Sequence, residues 1–388
     1  MPTYKIINRK KYWLVKTADL LLSALSSIGL LPATKYDDLD AVRSEIKKIL
    51  LIRLAYIGDV ILTQPALKPL KQFFPQAEFH FLTSRAAAEL LCSDPDIFQT
   101  IAFDAPWFYS PGDDSKAMYK KIRDISFDLG IDFRGDVRNI YHCLWKPSLP
   151  RRVSYSSGGG YALLTTPVEW KRLKHKVEFH LDLLRNIGIH AEYSDPVIYL
   201  NEDETADARR ILTESGCNPN EYPVAIHPGA RLPLKRWPVE SFVNLSKQLK
   251  ADGVGPIVLI CSHEQADISN DIYKGGAIDI NLSGKLTLRQ VAAILSQCRC
   301  LICHDSAAMH IAAAVKTPVI ALFGPSRPAE TSPCGINHQI VEGLCSVKDL
   351  CDEQYCRVKP EGQCMRSIDV EMVIKACRRV LLKTETDH

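Results

Sequence analysis

Short apolar runs of strand length alternate with longer amphipathic segments along the chain, in two successive series. Uniformly apolar runs are typical of strands buried on both faces of a parallel sheet, and amphipathic segments suit the helices that cover it. The pattern therefore predicts an α/β protein with two parallel sheets, joined by a crossover at 195–200. The predicted strands are 49–54, 78–82, 100–103, 129–133 and 152–155 in the first series, and 224–227, 256–261, 279–282, 301–303 and 319–322 in the second.

Two strand-to-helix turns in the second series carry residues suited to an anion. One leads through Asp305 and Ser306 into an alanine-rich helix, and the other brings Lys235 to the start of a helix. Parallel strands end at a common edge, where free N–H groups and the positive end of a helix dipole favour negative charge. A lysine there can neutralise an oxyanion. The two turns predict a diphosphate site formed by Gly229, Ala230, Lys235, Asp305, Ser306 and Ala307.

A third turn follows the first predicted strand, where Gly58 and Asp59 stand at the start of a helix. The carboxylate is expected to face a crevice at the same kind of sheet edge. Taken alone, Asp59 is better explained as a helix N-cap than as a catalytic group, because Asp is a preferred cap residue.

Four further residues are candidate ligand contacts, and each has a structural alternative. His310 would share a helix face with Ser306. It would either hydrogen-bond the phosphate or sugar of a bound nucleotide-sugar donor or be a histidine of the hydrophobic core. Glu264 follows a strand and could accept ribose hydroxyls, although the helix dipole alone favours a glutamate in a first turn. Arg134 and Arg138 could clamp acceptor carboxylates or phosphates, or lie in a solvated loop.

The three turns, in this order, resemble the heptosyltransferases of glycosyltransferase family 9, which act in lipopolysaccharide inner-core synthesis. The similarity spans roughly residues 48 to 370, and three ordered motifs are more specific than a single Gly-rich loop. Ala307 departs from the family, which generally has Gly there, and its Cβ narrows the approach of a donor phosphate. The matching residues are Arg53, Gly58, Asp59, Pro65 and Leu67, then His227–Ala230 and Lys235–Pro238, then Asp305, Ser306, His310, Gly324 and Pro325.

This resemblance implies a GT-B fold with two facing Rossmann-like domains. Residues 48–195 would bind the acceptor, residues 196–369 the nucleotide-sugar donor, and residues 370–388 would form a helix packing across the junction. The implied reaction is inverting transfer of a heptose from ADP-heptose to the lipid-linked inner core of lipopolysaccharide.

The resemblance also implies roles for individual residues. Asp59 becomes the candidate base, with Gly58 beside it on the acceptor side, while Lys235 and Ser306 would stabilise the leaving diphosphate. No cofactor is implied. A divalent metal is not required, and no Asp-x-Asp motif is present.

Composition narrows the possible partners. A net charge of +3 is too small to indicate nucleic acid, and no nucleic-acid-binding motif is present. Two other functions stay open, a related transferase that uses another nucleotide sugar and a catalytically silent glycan- or lipid-binding module. An NAD-dependent oxidoreductase is disfavoured because no Gly-x-Gly-x-x-Gly follows a strand.

Residues 1–47 lie outside the resemblance and form a basic amphipathic extension. Cations precede or flank an apolar stretch that Lys16 and Asp19 interrupt, so it is too short to span a bilayer. The extension either contacts an anionic membrane surface through residues 1–31 or packs on the protein's own surface. The first alternative predicts a cytoplasmic protein, peripheral on the inner face of the inner membrane.

Most of the 13 cysteines lie in apolar segments, where cysteine behaves as a small hydrophobe. Cys345, Cys351, Cys356 and Cys364 differ because they cluster in a polar loop at 345–364. They are weak candidates for a tetrathiolate zinc site or a redox staple, since the short Cys-x-x-Cys spacing of most such sites is absent. The pattern favours reduced thiols in a surface loop.

Overall fold

The chain folds as two compact units, Met1–Ser194 and Asp195–His388, in a computed structural model that describes residues 9–27, 38–170, 174–345, 351, 353 and 355–384. Each unit contains a six-stranded parallel sheet with accompanying helices. The predicted α/β class with two parallel sheets is confirmed. The division between the units falls beside the predicted boundary, and the acceptor and donor roles of the two domains stay predictions.

Unit 1 comprises the first six strands and the first seven α-helices of the described residues. The strands are β1 (Lys48–Arg53), β2 (Glu78–Thr83), β3 (Gln99–Ala102), β4 (Leu129–Asp132), β5 (Arg151–Tyr155) and β6 (Thr166–Val168). The helices are α1 (Arg9–Ser27), α2 (Ile57–Ile61), α3 (Leu67–Phe73), α4 (Arg85–Leu91), α5 (Ser115–Ile125), α6 (Val137–Asn139) and α7 (Lys176–Arg185), and a π-helical segment, Ile140–Trp145, follows α6.

Unit 2 repeats the plan over its described residues. Its strands are β7 (Val224–His227), β8 (Ile257–Leu259), β9 (Ile280–Asn281), β10 (Cys300–His304), β11 (Val319–Phe323) and β12 (Gln339–Glu342). Its helices are α8 (Glu202–Glu214), α9 (Val239–Ala251), α10 (Ala266–Gly275), α11 (Leu288–Leu295), α12 (Ala307–Ala314), α13 (Pro328–Thr331), α14 (Gln363–Arg366) and α15 (Val370–Thr384).

Both sheets have the same strand order. The first runs β3-β2-β1-β4-β5-β6 and the second β12-β11-β10-β7-β8-β9, with every pairing parallel. The order reverses between β1 and β4 in unit 1, and between β7 and β10 in unit 2. In open parallel sheets, ligands bind beyond the carboxyl ends of the strands at this reversal. The fold therefore gives one such crevice to each unit.

The edge strands β6 and β12 are absent from the predicted series. The three-residue strand β6 contains Pro167, which lacks a donor and is tolerated at a sheet edge. Strand β12 is only partly buried, so its sequence lacks the uniformly apolar run of a central strand. Predicted strands at 256–261 and 279–282 are also shorter in the structure.

The C-terminal helix α15 packs within unit 2, against α9, β11 and β12. Its buried residues, among them Val373, Ile374 and Cys377, join the hydrophobic core of that unit. Residues 385–388 lie outside the described part of the chain. The packing of this helix across the junction stays a prediction.

One face of α1 packs on unit 1. The carboxylate of Asp19 is buried and accepts the N–H of Gly160 at 2.7 Å, and Leu22 packs against the core. The surface packing expected from one interpretation of the sequence is therefore present. The other face exposes Trp13, Leu20 and Leu21. Residues 1–8 and 28–37 of the extension lie outside the described part of the chain, and no described helix is long and apolar enough to cross a membrane.

Replacing Gly158 with Ala should destabilise unit 1. An added Cβ would lie 2.2 Å from the carbonyl oxygen of Gly135, and overpacking of this kind costs about 1–3 kcal/mol. Thermal unfolding followed by circular dichroism should show a lower transition temperature. Gly255→Ala is the matched control, because no heavy atom lies within 4 Å of the added Cβ. Equal shifts in the two variants would contradict the packing argument.

Candidate active site

Asp59 lies in the crevice of unit 1, immediately after β1. It is the third residue of α2, and its Oδ2 accepts the N–H of Tyr56, the N-cap residue, at 3.4 Å. The interpretation of Asp59 as the N-cap is therefore wrong, because the helix begins at Ile57 and Asp59 is its third residue. Gly58 is the second residue of the same short helix.

Several cations surround the Asp59 carboxylate. The buried guanidinium of Arg53 donates from Nη2 to Oδ2 of Asp59 at 2.9 Å. Burial acts to raise the pKa of Asp59, but the charges of Arg53, Lys176 and Arg134 outweigh it and hold this pKa well below its usual range. Asp59 is thus an ionised carboxylate throughout the working range of an enzyme.

Arg53 and His180 complete the inner wall of this crevice. The Nε and Nη1 atoms of Arg53 are buried without a hydrogen-bond partner in the described structure. The Nδ1–H of His180 donates to the carbonyl of Leu62 at 2.9 Å. Burial, followed by the charge of Arg53, lowers the pKa of His180 to about 3, so this imidazole is neutral. Arg53 therefore supplies the ion pair to Asp59, and the neutral His180 lies nearby on a helix that is distant in the sequence.

Arg134 and Arg138 follow β4 and pack around an aromatic ring. Their guanidinium carbons lie 4.4 and 4.8 Å from the ring centroid of Phe108. Arg138 makes a bidentate contact with Asp136, at 2.6 and 2.9 Å, and Arg134 donates to the carbonyl of Ala55 at 2.9 Å. The solvated-loop interpretation is therefore wrong for Arg134, which is mostly buried and lies near Asp59.

A buried carboxylate holds the turn that carries these arginines. Asp132, at the end of β4, accepts the backbone N–H of Gly135 at 2.8 Å, the amide of Asn139 at 3.0 Å and the hydroxyl of Ser154 at 2.8 Å. Burial raises the pKa of Asp132 despite these bonds. The network fixes the path of the chain from β4 toward Arg134 and α6.

Lys235 and Asp305 meet in the crevice of unit 2, as predicted from the ends of β7 and β10. The ammonium of Lys235 lies 2.6 Å from Oδ2 of Asp305 and 2.9 Å from Oε2 of Glu353. Burial acts to lower the pKa of Lys235, but the two carboxylates outweigh it and raise the pKa. The lysine is therefore a largely buried cation, and its partner Glu353 was not predicted from the sequence.

His304, the last residue of β10, locks the two turns of this crevice together. Its Nε2 accepts the N–H of Trp237 at 2.8 Å, so its proton resides on Nδ1, which faces the carbonyl of Gly229 at 3.3 Å. Burial lowers the pKa of His304 to about 3, which keeps the ring neutral. The sequence signal was a histidine at the end of an otherwise apolar strand.

The turn after β7 is held by its own side chains. An added Cβ at Gly229 would lie 2.1 Å from Oε1 of Gln265, which explains the glycine by packing within the protein. The carbonyl of Ala230 accepts from Arg236 at 2.9 Å and from Gln265 at 3.0 Å. Contact of either residue with a donor stays a prediction.

Ser306 is the N-cap residue of α12, and its hydroxyl makes no hydrogen bond in the described structure. Its backbone is extended, and its Oγ is buried. Ala307 is the first residue of this eight-residue helix, and His310 is buried on it. Glu264 is exposed in the short turn His263–Gln265, the position that its structural alternative expects. Direct roles for Ser306, Ala307, His310 and Glu264 in donor binding stay predictions.

Comparison with known proteins identifies the family. Residues 116–360 match the description "Glycosyltransferase family 9 (heptosyltransferase)". The chain belongs to glycosyltransferase family 9. This family 9 chain is 29% identical over 288 residues to lipopolysaccharide heptosyltransferase 3 of Escherichia coli strain K12, covering 70% of this chain and 80% of that protein. It is 24% identical over 306 residues to lipopolysaccharide heptosyltransferase 2 of Salmonella typhimurium strain LT2, covering 76% and 87% of the two chains.

A solved structure supports the same assignment at the level of the fold. The family 9 chain superposes on the E. coli ADP-heptose lipopolysaccharide heptosyltransferase II with a TM-score of 0.73, at 23% identity, over 87% of this chain and 99% of that one. The predicted GT-B fold class is therefore confirmed. The predicted family and its general activity, heptosyl transfer, are confirmed as well.

The Asp59 carboxyl should not titrate between pH 8 and about 4, the usual pKa of an aspartate. In chains carrying ¹³C-carboxyl aspartate, the Asp59 resonance is assigned by its loss in Asp59→Asn. Arg53→Gln should raise the pKa, because burial remains while the largest compensating charge is removed. The stabilisation due to the depressed pKa is present above about pH 4 and is lost as pH falls further. A midpoint near pH 4 in the natural chain would contradict the ion-pair argument.

Proposed function

We propose that this chain transfers a heptose from ADP-heptose to the lipid-linked inner core of lipopolysaccharide, with inversion and without a required metal ion. The observation that carries the proposal is the ionised Asp59 carboxylate at the reversal of strand order in unit 1. Support for the donor and acceptor comes from the relatives, whose names include ADP-heptose and lipopolysaccharide. At the corresponding place, unit 2 offers the largely buried ammonium of Lys235 and the Ser306 hydroxyl, which has no hydrogen-bond partner in the described structure.

Asp59 serves as the general base in this proposal. An acceptor hydroxyl must lose its proton as it attacks the anomeric carbon opposite the leaving group, and an ionised carboxylate can take that proton. A carboxylate held by Arg53, Arg134 and Lys176 is a weak base while the site is empty. An acceptor bearing phosphate or carboxylate groups would engage Arg134 and Lys176, weaken their effect on Asp59 and raise its pKa toward the working range.

The donor diphosphate would bind at the start of α12 in unit 2. Its oxygens would replace the carboxylates of Asp305 and Glu353 as partners of Lys235, and they would accept the Ser306 hydroxyl and the first N–H groups of the helix. These donors stabilise the charge that develops on departing ADP. The lysine and the helix N-terminus supply the positive potential, so no divalent ion is needed for the step.

The function is tested by ADP release from ADP-heptose with a truncated lipopolysaccharide acceptor. Asp59→Ala should lower acceptor-dependent release by about a hundredfold or more, the scale of a lost general base. Lys235→Ala should also lower it, because the leaving diphosphate loses its cation. Asp124→Asn, a change at an exposed carboxylate on α5, is the control and should leave acceptor-dependent ADP release unchanged. Chelation with EDTA should leave the natural rate unchanged.

Other outcomes of this assay would replace the proposal. Turnover of a different nucleotide sugar, with none of ADP-heptose, would retain the fold and discard the heptose assignment. No turnover with any donor would favour the glycan- or lipid-binding module. Loss of activity in EDTA that added Mg²⁺ restores would overturn metal independence.

We also propose that the exposed face of α1 contacts an anionic membrane surface, which would bring the chain to its lipid-linked acceptor. Trp13, Leu20 and Leu21 provide an apolar face, and the Lys16 ammonium lies 5.1 Å from the Trp13 ring centroid. Aromatic and leucine side chains combined with cations are typical of helices that lie in the interface of anionic bilayers. The Asp19 contact with Gly160 would hold the helix on unit 1 in this position.

Co-sedimentation with vesicles tests the role of α1. The full chain should bind vesicles rich in phosphatidylglycerol more strongly than purely phosphatidylcholine vesicles, because the helix carries cations. Leu20→Asp with Leu21→Asp should greatly reduce binding. Ile336→Asp, at a position in unit 2 that is 92% exposed, is the matched control and should bind normally. Equal binding by all three chains would contradict the proposal.

A further inference from the structure

Four thiols line one small cavity beside the candidate donor site. The sulfur-bearing residues Cys345, Cys351, Cys356 and Cys364 all belong to its wall, and the cavity has about 20 Å³ of free space, roughly what a single water-sized atom occupies. None of these four cysteines forms a disulfide.

These four cysteines differ from the remaining ones in the described chain. Cys143, Cys300, Cys303 and Cys377 are each buried in the hydrophobic interior, where burial raises their pKa and makes them unreactive. The cavity cysteines instead come from the loop after β12 and from α14, and converge on one space. Core packing accounts for Cys364 and for Cys345 beside it, whereas the convergence of Cys351 and Cys356 on the same cavity is what points to a ligand.

Two of the four positions are fixed by a rigid frame. The hydroxyl of Ser367 accepts the N–H of Leu344 at 2.8 Å and donates to the carbonyl of Cys364 at 2.8 Å. An added Cβ at Gly343 would lie 1.8 Å from that same carbonyl oxygen. The end of β12 and the start of α14 are thus packed backbone to backbone, and this packing sets Cys345 and Cys364 in place.

We propose that Cys345, Cys351, Cys356 and Cys364 bind one zinc or iron ion as a tetrathiolate structural site. Four thiolates are the ligand set of soft or borderline transition metals such as zinc and iron. Ions that prefer oxygen ligands, such as Mg²⁺ and Ca²⁺, bind weakly to thiolates. Binding releases the four thiol protons to solvent, and the guanidinium of Arg357, at the cavity wall, offsets part of the resulting negative charge. No group of three or more His, Cys, Asp or Glu side chains in the described residues, these four cysteines included, is spaced to hold a metal ion as it stands, so binding requires the sulfurs to move together until each lies about 2.3 Å from the ion.

The site would fix the segment that reaches the donor lysine. Glu353 lies between Cys351 and Cys356 and contacts the Lys235 ammonium at 2.9 Å, and Leu234, the neighbour of Lys235, forms part of the cavity wall. A metal holding this segment would therefore hold a carboxylate on Lys235 until a diphosphate displaces it. This consequence rests on the proposed function, whereas the metal site itself does not.

Metal analysis of the full chain tests the proposal directly. The protein is purified without a metal-affinity step and without added metal, and its zinc and iron are measured by inductively coupled plasma mass spectrometry. We expect a single ion per chain, and the element distinguishes zinc from iron. Replacement of the ion by Co²⁺ should give the intense thiolate charge-transfer absorption of a tetrathiolate centre.

The metal content of matched variants tests which residues are ligands. Cys351→Ser with Cys356→Ser should lose the metal, while Cys92→Ser, at an exposed cysteine of unit 1, should retain it. Glu353→Gln should also retain it, because the carboxylate is not a ligand. Metal well below one ion per chain, metal that survives loss of the two cysteines, or cysteine pairs found as disulfides by alkylation and mass spectrometry would overturn the proposal. Loss of transfer activity with metal retained would count against the proposed function alone.

Discussion

The reversal of strand order beside the first strand of each sheet is the constraint on which both candidate sites depend. Because β1 pairs with both β2 and β4, and β7 with both β8 and β10, connections leave the sheet in opposite directions and open a crevice between them. Asp59 and Arg134 follow the two strands at the first reversal. Lys235 and Asp305 follow the two strands at the second. Residues distant in the sequence therefore meet because the topology brings their strand ends together.

Each crevice then balances buried charge in its own way. In unit 1, cations outnumber the carboxylate of Asp59 and depress its pKa, whereas in unit 2 two carboxylates surround the ammonium of Lys235 and raise its pKa. Buried ion pairs contribute little net stability, because desolvation offsets their attraction. Their effect here is to keep both groups ionised in the empty protein. In unit 2, an anionic substrate can replace the carboxylates as the partner of Lys235 while the lysine stays protonated.

The central strands and the meeting of Lys235 with Asp305 were predictable, because uniformly apolar runs and the common edge of parallel strands leave clear local signals. The edge strands β6 and β12 were not, since Pro167 and a partly exposed pattern hide them. Asp59 was placed correctly after its strand, but the extent to which its pKa is depressed depends in part on Lys176, which comes from a distant helix. Glu353 and His304 act through contacts with distant parts of the chain that no local periodicity reveals. The spacing of the four late cysteines favoured free thiols, and only their shared cavity suggests a common ligand.

Heptosyl transfer is tested most directly by the product itself. The full chain is incubated with ADP-heptose and a truncated inner-core acceptor, and the acceptor is analysed by mass spectrometry and by proton NMR of its new anomeric centre. We expect an acceptor that gains one heptosyl residue whose anomeric configuration is opposite to that of the donor. Retained configuration would contradict direct displacement with Asp59 as the base, and an acceptor that gains no heptosyl residue would contradict the function.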